Sequence, residues 1–215
     1  MVKIITADEA AAMVNDGDTI MVGGFLAVGT PETICDALVR RNVKDLTMIS
    51  NDNGWVDRGN GKLIVNKQCR KIYASYLGSN RETGRQINAG ELEVELSPQG
   101  TLVERIRAGG LGLGGFYTPT GVGTEVAEGK EVKVLDGKEM ILETGLRAKV
   151  ALLKAFTADK YGNLRYQGNA RNFNIQMAFA ADVVIAEIDN LIDFMDPDQV
   201  ETPGVVVDYI VRRGR

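Results

Sequence analysis

The pattern of apolar and polar positions divides the chain into short elements. Thr6 followed three residues later by Glu9 forms a capping box, and Ala10, Ala11, Met13 and Val14 supply the apolar face of a first helix that Gly17 ends. Thr19 to Val22 reads as a buried strand. Thr30 and Pro31 then read as the N-cap and first residue of a second helix, which carries Ile34, Ala37 and Leu38 on one face. The order is strand, glycine loop from Gly23 to Gly29, helix.

Leu46 to Ser50 and Lys71 to Tyr76 are two further strand candidates, the first stopped by Asn51-Asp52-Asn53-Gly54 and the second by Gly78. Glu91 to Leu96 alternates, with Leu92, Val94 and Leu96 on one side and three glutamates on the other, the pattern of a half-buried strand. Leu102 to Ala108 has helical spacing. Val132 to Leu135 and Lys138 to Leu142 flank Asp136-Gly137, a signal for a two-residue hairpin, and Val150 to Thr157 with Tyr161 to Gln167 suggests another around Gly162-Asn163. Asn172 to Ala180 reads as a helix, Val183 to Glu187 and Val205 to Val207 as late strands. Strands alternating with helices, then hairpins, predict an α/β sheet with antiparallel additions. No repeat or linker divides the chain, and 215 residues lie below the roughly 250 to 300 at which cores split, so a single domain over 1–215 is expected.

Composition narrows the chemistry. The chain has no histidine, which excludes within it a Ser-His-Asp or Cys-His pair, an imidazole acid or base and a histidine-bearing zinc site; no metal centre is expected. Cys35 and Cys69 have neither C-x-x-C nor metal-ligand spacing and read as reduced thiols of a cytoplasmic protein. A net charge of -4 and a pI near 5.1 argue against a nucleic-acid or anionic-membrane surface. Arg212, Arg213 and Arg215 read as a solvated tail. No apolar run reaches membrane-spanning length, and Asp8 and Glu9 stand where a signal peptide would be basic and then apolar. Glycine is the outlier, 25 residues, about 12% against a usual 7%.

Two glycine segments stand out. Gly23 to Gly29, between a strand and a helix N-terminus, offers backbone N–H groups and a helix end to an anion, or equally a tight turn that lets the helix pack closely. Gly109 to Gly115 satisfies G-x-G-x-x-G at Gly110, Gly112 and Gly115, but it follows a helical segment instead of a strand, which argues against a dinucleotide site. Asn51, Asp52 and Asn53 lie at a strand's C-terminal end, where open α/β sheets place ligand contacts, and are equally ordinary turn residues. Glu143, in Glu143-Thr144-Gly145-Leu146, reads as a surface residue closing a hairpin strand.

Taken whole, Asp16-Gly17-Asp18-Thr19-Ile20-Met21-Val22-Gly23-Gly24-Phe25-Leu26-Ala27-Val28-Gly29-Thr30-Pro31 resembles the signature of the α subunit of family I coenzyme A transferases: Asp-Gly, an apolar run, Gly-Gly-Phe, then a spaced Gly and Pro. The resemblance continues through Asn51-Asp52-Asn53, Ser97 to Leu102, Arg107 to Gly110, Tyr117 to Thr124, Tyr161 to Leu164, Ala170 to Asn174 and Thr202-Pro203-Gly204. It implies a three-layer α/β/α open sheet, shared with ribose-phosphate isomerase-like proteins, and a reaction that moves coenzyme A between short-chain carboxylic acids such as acetate, butyrate and acetoacetate. Such enzymes work by a ping-pong route through a glutamyl-CoA thioester, nucleophilic catalysis that needs no histidine.

In the family the nucleophilic glutamate lies on the β subunit in a Ser-Glu-Asn-Gly type motif, which this chain lacks. Catalytic residues are therefore expected on a β partner in an α2β2 or larger assembly, and Glu143 is not expected to be one. By the same resemblance Gly23, Gly24, Phe25, Leu26, Ala27, Val28 and Gly29 contact coenzyme A, which is a substrate and not a resident cofactor, and Asn51 and Gln99 line the carboxylate and oxyanion pocket. Gln99 equally reads as a helix N-terminal residue after Pro98. The rivals are a sugar-phosphate isomerase of related fold, a ligand-sensing domain, and the α chain of a 3-oxoadipate or succinate transferase.

Overall fold

The structure is a computed structural model and describes residues 1–213. Along the chain lie β1 (Lys3–Ile5), α1 (Ala7–Ala12), β2 (Thr19–Val22), α2 (Glu32–Arg41), β3 (Leu46–Ile49), α3 (Gly61–Val65), β4 (Cys69–Ala74), α4 (Arg81–Asn88) and β5 (Glu93–Leu96). They continue as α5 (Gln99–Gly110), β6 (Gly115–Thr118), β7 (Val132–Leu135), β8 (Lys138–Thr144), β9 (Ala148–Asp159), β10 (Leu164–Arg165), α6 (Asn174–Met177), β11 (Ala181–Ile192) and β12 (Tyr209–Arg212).

The main sheet runs β1-β12-β11-β9-β2-β3-β4-β5 with every neighbouring pair parallel, and β10 adds antiparallel to the far end of β9. Its central strands are apolar on both faces because both are covered. On β2, Ile20 and Val22 join the core beneath α1, α2 and α3, while Met21 joins the opposite core with Leu102 and Ile106 of α5 and Met177 of α6. The three-layer arrangement expected from the resemblance is the one observed. A separate antiparallel sheet, β6-β8-β7, accounts for most of the hairpin additions.

The strand order reverses direction at β2. From β2 the chain steps outward through β3, β4 and β5, then returns to lay β9 on the other flank of β2 and steps away through β11 and β12. Right-handed crossovers in opposite directions put their helices on opposite faces, so a crevice opens at the C-terminal ends of β2 and β9. The Gly23 to Gly29 loop leaves β2 there.

Local signals account for much of this. The Thr6 capping box is complete, with Glu9 N–H donating to Thr6 Oγ1 at 3.1 Å and Thr6 N–H to Glu9 Oε2 at 2.7 Å. Asp136 and Gly137 both take positive φ in a two-residue turn that registers Leu135 opposite Lys138. The hairpin around Gly162-Asn163 is present but short, pairing Leu164 with Ala158 and Arg165 with Thr157.

Several expectations are corrected. Pro31, not Thr30, is the N-cap of α2, with Glu32 as its first residue. The helix expected over Asn172 to Ala180 shrinks to Asn174–Met177, because Asn172 adopts φ 15 and ψ -125 and spends its side chain on neighbouring backbone. Val205 to Val207 is no strand: Gly204–Val206 forms a 3-10 turn with Val205 fully out in solvent, and the strand follows as β12. In β5 the alternation holds only partly, since Leu92 is buried just before the strand but Leu96 is exposed at the sheet edge. Arg212 is an exposed end of β12, Arg213 lies within 3.5 Å of Asp189, and Arg215 is outside the described residues.

Candidate functional site

At the end of β2, Gly23 keeps strand geometry for one more step by donating to Leu152 O of β9 at 3.0 Å. Gly24 then takes φ +133, where a side chain would collide with Thr30 Oγ1. Phe25 and Val28 exchange both backbone hydrogen bonds at 2.9 Å around a tip formed by Leu26 (φ 46) and Ala27 (φ 71). This is a type I′ hairpin turn whose two central residues are not glycine, although left-handed backbone costs such residues about 1–2 kcal/mol each. Neighbours hold the tip in place: Leu26 N–H donates to Asp52 Oδ2 at 2.9 Å, and Trp55 Nε1–H donates to Leu26 O at 3.1 Å.

The loop after β3 answers with a second tip. Trp55 and Arg58 bridge in antiparallel fashion, and Gly59 N–H donates to Glu32 Oε1 at 2.8 Å, which ties this tip to the start of α2. Glu32 is in turn paired with Lys62 at 2.7 Å. Phe25, Val28, Trp55, Val56 and Tyr76 leave an apolar, partly exposed rim around the two tips.

Between the tips and the ends of β3 and β4 lies a cleft of ≈ 360 Å³ lined by Phe25, Leu26, Asn51, Asp52, Ser75, Tyr76 and Gln99. The two pocket residues expected from the resemblance meet here: Gln99 Nε2 donates to Asn51 Oδ1 at 2.6 Å. Gln99 is also the first residue of α5 after Pro98, as its reading as a helix N-terminal residue has it. Ser75 Oγ donates to Asn51 O at 2.7 Å, and Asn51 Nδ2 donates to Asp52 Oδ2 at 2.7 Å. Nothing in the sequence alone selects Ser75 or Tyr76 for this cleft, and Asp52 is marked there only within Asn51-Asp52-Asn53, with no role of its own. An aspartate in Asn-Asp-Asn-Gly looks like turn chemistry until its burial, 3% exposed, is seen.

The loop is not an open phosphate cradle. Gly23, Gly24, Phe25, Leu26 and Val28 all donate their N–H groups within the protein, Gly24 to Asn172 Oδ1 at 3.2 Å, leaving Ala27 and Gly29 unpaired among the described residues. The N-terminus of α2 is taken as well. Glu187, fully buried on β11, accepts from Thr33 N–H at 2.8 Å and Ile34 N–H at 3.2 Å through one oxygen. Burial pushes its carboxyl above the usual range, against the pull of those bonds and of Lys154. Lys154, nearly buried on β9, pairs with Asp189 at 2.8 Å behind the loop.

The other glycine run is scaffolding. A Cβ on Gly109 would overlap Leu146 O and one on Gly115 would overlap Glu143 O, so these glycines let α5 and β6 lie against backbone. Glu143 is a buried residue, 1% exposed, and not the surface residue expected from its place in a hairpin. Lys130 Nζ pairs with it at 2.7 Å and Arg105 Nε lies 3.7 Å away. Cys35 and Cys69 are free and buried, and burial raises both thiols, Cys69 to about 12, so neither is a thiolate near neutrality.

The comparisons with known proteins converge on one family. Residues 4–213 match the family model described as coenzyme A transferase. The chain is 52% identical to the alpha chain of the acetate CoA-transferase of Escherichia coli K12, covering 97% of this chain and 96% of that one. It is 49% identical to one subunit of a probable succinyl-CoA:3-ketoacid coenzyme A transferase of Bacillus subtilis, over 98% and 90%. Among solved structures, an acyl-CoA transferase of E. coli O157:H7, YdiF, in a thioester complex with CoA, shares the fold with a TM-score of 0.87 at 20% identity, over 99% of this chain and 47% of that longer one. Family match, near-complete coverage and shared fold agree: the chain belongs to the coenzyme A transferase family.

Proposed function

We propose that this chain is the non-nucleophilic α subunit of a heteromeric CoA-transferase that moves coenzyme A between short-chain carboxylic acids of the acetate, butyrate and acetoacetate type. The observation that carries the reading is what the cleft offers and what it lacks. It presents amide groups from Asn51 and Gln99 beside the glycine loop at the point where the strand order reverses. Its only carboxylate among the described residues, Asp52, has both oxygens engaged by protein donors. A site with oxyanion donors but no free nucleophile is half of a transferase site.

In this reading a glutamate of the β subunit supplies the missing carboxylate. It attacks the acyl-CoA carbonyl and releases the thiolate of coenzyme A, which then attacks the resulting anhydride at the glutamyl carbonyl. The first carboxylic acid leaves and a glutamyl-CoA thioester remains for the second acid. Asn51 and Gln99 donate to the developing oxyanion, and Gly23 to Gly29 contact the coenzyme A chain, with the N–H groups of Ala27 and Gly29 left to receive it. The apolar rim of Phe25, Val28, Trp55, Val56 and Tyr76 supports a partner closing over the cleft. Coenzyme A is a substrate that comes and goes. A cytoplasmic enzyme fits this reading; no helix among the described residues is long and apolar enough to cross a membrane.

Reconstitution tests the assignment. The isolated chain should transfer no coenzyme A, and mixing it with its β subunit should create the activity. Mass spectrometry after incubation with acyl-CoA should find the adduct on β. An adduct on this chain, or turnover without a partner, would overturn the division of roles. Running acetate, butyrate, acetoacetate and succinate side by side decides the acid, since 52% and 49% identity to relatives of different names does not separate them.

A further inference from the structure

We propose that Asp52 is the positioning residue of the cleft, one carboxylate that sets both the glycine-loop tip and the direction of the Asn51 amide; this rests on the transferase reading above. Asp52 is 3% exposed, and its carboxylate accepts three hydrogen bonds. Oδ2 receives Leu26 N–H at 2.9 Å and Asn51 Nδ2 at 2.7 Å, and Oδ1 receives Gly54 N–H at 2.8 Å. Its main chain is pinned too, with Ser50 Oγ and Asn60 Nδ2 each donating to Asp52 O at 2.7 Å.

Three donors converge on two oxygens, so the position requires an acceptor-only group. Asparagine, whose amide is half donor, must turn its NH2 toward either Gly54 or the Leu26 and Asn51 pair. The first consequence falls on the loop. Leu26 and Ala27 hold φ of 46 and 71 with no glycine at either position, a geometry that persists only where the surroundings enforce it. Asp52 grips the N–H of Leu26 and Trp55 grips its carbonyl at 3.1 Å, so the tip is clamped from both sides of one residue.

The second consequence falls on the amide pair. Because Asp52 takes Asn51 Nδ2, Asn51 Oδ1 must face Gln99 Nε2 at 2.6 Å and Ser75 Oγ at 3.3 Å. The oxygen is used up inside the protein, and the remaining N–H of each amide is left for the cleft. Reversing Asn51 would aim a carbonyl oxygen where negative charge develops. One aspartate thus couples the segment assigned to coenzyme A to the segment assigned to the reacting carboxyl group, 26 positions apart in sequence.

The test uses the reconstituted complex with β. Asp52→Asn should leave assembly and circular dichroism intact while kcat/KM for acyl-CoA falls on the order of 10²-fold, from a lower kcat together with a higher KM. Combining it with Asn51→Ala should lower kcat little further than the worse single variant, since Asp52 reaches the reacting group through Asn51. Kinetics within about threefold of wild type in an assembled Asp52→Asn complex, or fully multiplicative losses in the double variant, overturn the proposal. If Asp52→Asn does not assemble, Trp55→Phe keeps the aromatic bulk and removes only the N–H on Leu26. A rise of about fivefold in the KM for acyl-CoA then supports the clamp, and an unchanged KM overturns it. A wild-type complex that transfers no coenzyme A refutes the functional reading instead.

Discussion

Between Gly23 and Gly29 the chain leaves a strand and enters a helix; between Gly109 and Gly115 it leaves a helix and enters a strand. The second segment closes on itself. Leu113 N–H returns to Ala108 O at 2.9 Å, Gly145 N–H meets Gly114 O at 3.2 Å, and Arg147 Nη1 donates to Gly109 O at 3.1 Å. Its glycines are needed for close backbone approach and for one left-handed helix end at Gly112, φ 72. The first segment puts left-handed conformation on Leu26 and Ala27, keeps two N–H groups free among the described residues, and borrows its rigidity from Asp52 and Trp55. Glycine content is the same signal in both. What differs is the element that precedes the run, and so whether the backbone emerges at the sheet's C-terminal crevice or turns back onto the core.

Gly24→Val is the strongest test of that difference. At φ +133 a branched side chain is excluded and would collide with Thr30 Oγ1, so the loop must rebuild. Transfer by the reconstituted complex should fall on the order of 10³-fold while subunits still assemble, checked by steady-state kinetics and size-exclusion chromatography. Near-wild-type turnover would remove the loop from the mechanism. Gly109→Ala should do the reverse. Its Cβ overlaps Leu146 O, a backbone atom in the short link between β8 and β9 that is tied to α5 by Leu146 N–H donating to Arg105 O at 2.8 Å, so unfolding by denaturant should show a loss of about 3 kcal/mol. The folded complex should keep its kcat/KM; a large kinetic loss there would erase the contrast between the two runs.

The same contrast separates what the sequence makes legible from what it hides. The β2, loop and α2 unit is legible because Ile20, Met21 and Val22 form an apolar run and Ile34, Ala37 and Leu38 share one helix face. Asn51 and Gln99 are marked by a family resemblance, and only the fold brings them to 2.6 Å. Helix α4 is silent in the hydrophobic pattern because its buried face is polar: Thr83 meets Asn53 Nδ2 at 2.8 Å and Gln86 Nε2 reaches Ile64 O at 2.7 Å. Helix α3 spans five residues and β1 three, too short for any period to register. Asp52 and Glu143 mislead for one shared reason. A carboxylate in a turn or a hairpin looks exposed until tertiary donors, Leu26 N–H for one and Lys130 for the other, are folded against it.

Glu187 sharpens the comparison at the helix that each run adjoins. A glycine loop that opens a helix ordinarily offers the helix N-terminus to a ligand's anion, but here the first turn of α2 already holds a protein carboxylate. Both N–H groups bond the same oxygen, and the other oxygen has no partner among the described residues. Glu187→Gln can therefore keep the cap through its amide oxygen. It loses the charge that favours a helix N-terminus and is relieved of burying it, two opposing effects of similar size. The net change near neutral pH should be within about 1 kcal/mol. Burial raises the carboxyl, so the folded state binds its proton more tightly than the unfolded state does. The stabilisation this brings is full below the unfolded pKa and is lost as pH rises through the folded one. Urea unfolding from about pH 4 to pH 7 should accordingly show the variant gaining on wild type as pH rises. A difference that stays flat, or reverses, would mean that the charged carboxylate is what α2 requires, and that the protein's own side chains hold this helix dipole as part of the loop's construction instead of merely occupying it.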